Sequence, residues 1–214
     1  MRELKGMITA LSFPLMMLNI FGGIVSGIWL GVLRDWSTLG LGIFFFFFST
    51  FLLGIVLIPS TLLFGAGLLC AEKNKLGGVI FFGSLCNLYD VAFMVIWCCG
   101  ILFLFARDAD SAHLIPRLIW SYGVATGPWA YKASKEQGGG GEGFGSYVAT
   151  FLLQLAYLVV MVLTIFWGIT LVGALETIGT FMLVALVIQV VVTVLVLRER
   201  SDAADSVLES DLEV

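Results

Sequence analysis

One carboxylate, Asp90, lies inside an apolar run from Gly77 to Ala106. A membrane-spanning helix needs about 20 residues, and every window of that length within the run contains Asp90. A charge at membrane depth costs roughly 2.5 to 3.5 kcal/mol on insertion scales, so it normally faces a partner or water rather than lipid. Gly83, Asn87, Asp90, Met94 and Trp97 recur at intervals of four and three, which puts them on one face of a helix. Such a face suits an ion or proton site, or a gate. Asn19, Gln154, Gln189 and Arg117 are the polar residues of other apolar stretches that could meet it, and Arg117 alone brings the opposite charge. Asp90, Asn87 and Arg117 are therefore the candidate intramembrane polar site. The structural alternative is that Asp90 is protonated, or hydrogen-bonded to a neighbouring helix, and only fixes packing.

Other chemistry finds little material. Cys98 and Cys99 are adjacent, so on a helix they point about 100° apart and cannot grip one ion from one face. The single histidine, His113, lies outside that span, and zinc needs four ligands within reach. Cys98 and Cys99 read as small buried hydrophobes, Cys70, Cys86, Cys98 and Cys99 make no secreted-type disulfide framework, and neither metal nor cofactor is expected. No Ser-His-Asp set, paired glutamates or phosphate-cradling loop appears, so the chain is expected not to be an enzyme. Gly23, Gly27 and Gly31 form a small-residue stripe at intervals of four, a glycine-zipper pattern that lets another helix approach closely.

The elements that must carry these residues follow from composition. With 60% hydrophobic and 12% charged residues, the 214-residue chain reads as an integral membrane protein. Its net charge of -4 resides in the tail from Arg198 to Val214, which holds two basic and six acidic residues. No basic surface suited to nucleic acid is present. The expected fold is all-α: a polytopic helical bundle of five long transmembrane helices, about 7–33, 40–71, 78–106, 147–172 and 178–197. Residues 1–197 form a single membrane domain and 198–214 an acidic tail. Arg34 to Thr38 makes the first turn, Pro59 is expected to kink the second span, and Gly173 to Thr177 separates the last two. Phe44 to Phe48 supplies lipid-facing or packing surface.

The stretch 111–131 is the ambiguous one. Arg117, Pro116, Pro128, Trp120, Tyr122, Trp129 and Tyr131 make it too polar and broken for an ordinary span but too aromatic for a free loop. It is expected to be a short re-entrant, half-spanning or interfacial segment, followed by a glycine-rich linker at 138–145. Basic residues favour a crossing. With a cytoplasmic N-terminus, a crossing puts Arg2, Lys5, Lys73, Lys75, Lys132, Lys135, Arg198 and Arg200 inside, against Arg34 and Arg107 outside. Without a crossing the split is seven against four. Either way the tail is cytoplasmic, and the host is expected to be a plasma or inner membrane.

Two functions fit. The first is a non-enzymatic membrane subunit that packs laterally in lipid against other membrane proteins or its own copies, offering the tail 201–214 to a cytoplasmic partner. The second is an oligomeric channel, or an ion- or proton-coupled carrier, that uses Asp90 and the 115–129 segment.

Overall fold

A computed structural model describes residues 2–73, 75–136 and 141–212. The side chains of residues 2, 4, 5, 141, 142 and 196–212 are not among those described. The described residues are helical, without strands. The first span comprises α1 (Arg2–Met17), a π-helical turn (Leu18–Gly22) and α2 (Gly23–Val32). Then follow α3 (Trp36–Glu72), α4 (Leu76–Ala106), α5 (Ser111–Glu136), α6 (Gly141–Trp167) and α7 (Leu171–Leu212). Five of these spans are long and apolar enough to cross a bilayer, and α5 is a sixth helix beside them. The chain is an integral membrane protein.

Short connections make sequential helices antiparallel neighbours. Arg34, at φ 64°, lets the chain leave α2 in a left-handed turn. Asp35 then caps α3 by accepting from the Thr38 amide at 3.3 Å. Gly168, at φ 61°, ends α6, and the Thr170 hydroxyl accepts from the Gly173 amide to open α7. The last turn is therefore 168–170 rather than Gly173 to Thr177, and Glu176 is an exposed residue of α7. Of the glycine-rich stretch, 138–140 lie outside the described residues, while Gly141 to Gly145 belong to α6. The backbone of α7 continues to Leu212, and the surface of the 201–214 tail lies outside the described side chains.

The 111–131 stretch is part of one continuous helix and occupies the middle of the bundle. Nine consecutive residues, Ser121 to Trp129, are buried. Around them stand α2, the π turn, α3, α4 and α6. A helix enclosed on all sides needs no lipid-facing stripe. It needs small residues for close approach and partners for its polar groups. The segment has both. A Cβ on Gly123 would sit 3.7 Å from the Cα of Gly23, and one on Gly127 would meet Phe46 at 2.8 Å. Tyr157 donates to Ser121 at 2.9 Å, Asn19 to Thr126 at 2.6 Å, and Tyr122 to the Leu15 carbonyl at 3.3 Å. Pro116 and Pro128 both lie within the helix, which neighbouring helices tolerate in a bundle.

One face of α3 closes on α5 like a row of teeth. Asp35, Thr38, Gly42 and Phe46 follow one another at intervals of three and four, and each meets α5. Away from that face α3 is peripheral: Phe44, Phe47 and Phe48 are exposed, while Phe45 turns inward onto Trp97 with ring centroids 6.2 Å apart. Pro59 lies within α3, which is continuous through it.

Candidate functional site

Asp90 is set at the inner end of a mostly apolar cavity of about 310 Å³ between α3, α4 and α7, with the C-terminal end of α5 and the N-terminal end of α6 at its side. Its lining on α3 extends from Leu57 to Ala71, 15 residues spanning about 21 Å of helix, and on α4 from Val79 to Asp90. Both strips lead towards the turn joining α3 to α4. Beyond Asp90 the way is filled by packed side chains, with Val91, Met94 and Cys98 in one core with Leu53 and Tyr157. The cavity thus stops at Asp90 and extends from there towards the α3–α4 turn.

The predicted face of α4 divides between these two regions. Gly83, Asn87 and Asp90 line the cavity, Met94 is in the core, and Trp97 packs on Phe45. Ser60 of α3 donates to Asp90 Oδ2 at 3.1 Å and lies 3.2 Å from the Cys86 sulfur. Tyr89 donates to the Val56 carbonyl at 3.1 Å, next to the Ile55 carbonyl that Pro59 cannot bond. Proline therefore stands beside the residue that holds Asp90, and Ser60 spends its hydroxyl on the neighbouring helix. The other oxygen of Asp90, Oδ1, is buried without a hydrogen-bond partner, as is Gln189 Oε1 in the same cavity.

Arg117 is elsewhere. Its Nε donates to Asp35 Oδ2 at 2.9 Å, at the end of the bundle opposite the cavity mouth, so Asp90, Asn87 and Arg117 do not assemble into one site. The reason is helical position. Arg117 is in the second turn of α5, level with the start of α3, whereas Asp90 is near the middle of α4. Burial raises the Asp35 carboxyl, but bonds from Thr38 and Arg117 and the guanidinium charge outweigh it and hold the group below the usual carboxylate range. The cation near Asp90 is instead Lys132, which lines the cavity with Glu136, its Nζ 3.7 Å from Glu136 Oε1. Neither Lys132 nor Glu136 was expected at the site. A signal existed in their spacing of four on one helix face, but only the full length of α5 carries that face to Asp90.

The remaining polar candidates separate. Asn19 binds Thr126, Gln154 lines a second cavity of about 190 Å³ beside Ser12 and Tyr147, and Gln189 shares the cavity of Asp90. The 115–129 segment does not line that cavity. Gly23, Gly27 and Gly31 border a separate, almost wholly apolar groove of about 790 Å³ on the outer side of α2, α3 and α5. Within it a Cβ on Gly27 would lie 3.3 Å from both Leu39 and Trp120, and one on Gly31 would lie 3.0 Å from Trp36. Among the described residues, no three of His, Cys, Asp and Glu are grouped to hold a metal ion. Comparison with known protein families, curated proteins and solved structures gives no match.

Proposed function

We propose that the protein is an ion- or proton-coupled membrane carrier, or a channel, in which Asp90 terminates a water-accessible path from the cytoplasmic face. The observation that carries this reading is the cavity: a mostly apolar space that bears Lys132, Glu136 and Gln189 and ends at a carboxylate with an unbound oxygen. Ionisable groups held at membrane depth are rare and mark ion and proton pathways. The α5 helix, 26 residues and about 39 Å long, completes a sixth crossing. Both termini and the acidic tail then lie with the lysines 73, 75, 132 and 135 in the cytoplasm of a plasma or inner membrane. The access route rests on Lys132, Glu136 and the α3–α4 hairpin rather than on residues 115–129.

A second reading, a non-enzymatic subunit that packs laterally in a complex, draws on the apolar groove beside Gly23, Gly27 and Gly31, which a neighbouring helix could enter. One preparation separates the two. The chain is purified in mild detergent, its mass measured, and reconstituted vesicles assayed for proton, sodium and potassium entry with entrapped dyes. For the transport reading, wild-type flux exceeds that of empty vesicles and Asp90→Asn lowers it at least about tenfold, as loss of a charged site should. Equal flux in the variant and wild type overturns it. Copurifying polypeptides in fixed ratio, with no flux, favour the subunit.

A further inference from the structure

We infer that the cavity binds one monovalent metal cation, held between Asp90 Oδ1 and Gln189 Oε1, and that Lys132 is a tethered competitor for the same place. The inference rests on the transport reading above and names the ion for it.

Three observations carry it. Asp90 Oδ1 and Gln189 Oε1 are both acceptors, both buried without a partner, and both on residues that line one cavity. Gln189 is only 8% exposed, so bulk water does not reach it freely. Two orphaned acceptors in one enclosed space call for a donor or a positive ion, because an unmatched buried oxygen costs about 1 to 3 kcal/mol. Oxygen ligands of this kind replace part of the hydration shell of an alkali cation.

Charge sets the valence. Among the described side chains, the charged groups lining the cavity are Asp90, Glu136 and Lys132, which sum to -1 when ionised; the Cys86 thiol adds nothing while protonated. A single positive charge neutralises the set, whereas a divalent ion would leave an excess positive charge beside it. The volume exceeds that of a bare ion: at about 30 Å³ per water, 310 Å³ holds several waters around it. Lys132 is restrained by Glu136, one helical turn away, and by the Trp129 ring, whose centroid is 5.8 Å from the ammonium. Release from these partners would let the ammonium approach Asp90 and displace the ion.

The test is thermal unfolding of the purified full chain, read by tryptophan fluorescence, in sodium, potassium or choline chloride at one ionic strength. A cation that binds only the folded state raises the midpoint with the logarithm of its concentration. Expected is a rise of several degrees in sodium or potassium over choline, lost in both Asp90→Asn and Gln189→Leu. Lys132→Met shifts the same response to about tenfold lower concentration, because the competitor is gone. Identical midpoints in all three salts overturn the inference, including the case in which pH alone moves them and Asp90 simply binds a proton. A salt response undiminished in Gln189→Leu overturns it as well. If Asp90→Asn does not fold, Gln189→Leu and Lys132→Met still decide. Stabilisation without flux keeps the site and discards transport; flux without stabilisation does the reverse.

Discussion

Asp35 and Arg117 show how a charge pair serves an end of the bundle rather than its centre. Asp35 is almost fully buried, with its side chain 7% exposed against 22% for Arg117, so removing the arginine strands a carboxylate that cannot reach water. Arg117→Met is expected to lower stability by about 2 kcal/mol, as for a charged hydrogen bond. Adding Asp35→Asn to that variant should recover part of the loss, which a double-mutant cycle of unfolding midpoints in detergent would measure. The pH dependence follows from the same pair. Because the folded-state pKa of Asp35 is lowered, its contribution is complete above the unfolded value, about 3.9, and disappears as pH falls through the lower folded value. Wild type should therefore lose more stability than Asp35→Asn on acidification below about pH 4. Parallel curves would show that the pair contributes nothing.

At the scale of elements, the contact of α3 with α5 turns on Gly42, whose position for a Cβ is already filled by the Trp120 indole. Trp120 also donates to the Thr38 carbonyl at 3.3 Å, so the ring has no room to give. Gly42→Ala should destabilise by about 1 to 3 kcal/mol, as overpacking does, while Gly40→Ala, two residues away and facing open space, should leave the unfolding midpoint unchanged or slightly raised. Equal effects at both positions would refute the close packing. The five apolar spans were legible in sequence because hydropathy measures what faces lipid. By the same measure α5 was not, since an enclosed helix answers to its neighbours, and Ser121, Thr126 and Gly127 look like loop residues until those are known. Glu176 drew the final turn towards itself, although an exposed carboxylate in the second turn of α7 needs no loop to stay outside the packed core. The cap at Asp35 could have been read from Asp35 and Thr38, three apart. Its ion pair could not, because Arg117 is 82 residues away.

For the whole molecule, the position of α5 decides the topology. A single cysteine at Ser111 and another at Lys135, each exposed and at opposite ends of α5, should label from opposite sides of the membrane in a cysteine-free background. Labelling of both from one side would remove the sixth crossing. The proposed cytoplasmic placement of the lysines and tail, and the proposed direction from which Asp90 is reached, would then change together. The enclosed stretch Ser121 to Trp129 bears on biogenesis as well. A segment carrying Arg117, Lys132, Lys135 and Glu136 partitions poorly into hydrocarbon by itself, so during synthesis its lateral release from the insertion machinery must wait for helices that emerge after it. Of its main partners α2, α3 and α4 precede it, but α6, which supplies the Tyr157 bond to Ser121, is still to be made. If α5 crosses as proposed, its integration is an act of the hairpin it forms with α6, and the least lipid-soluble helix of the chain would enter the membrane as a passenger of its neighbours.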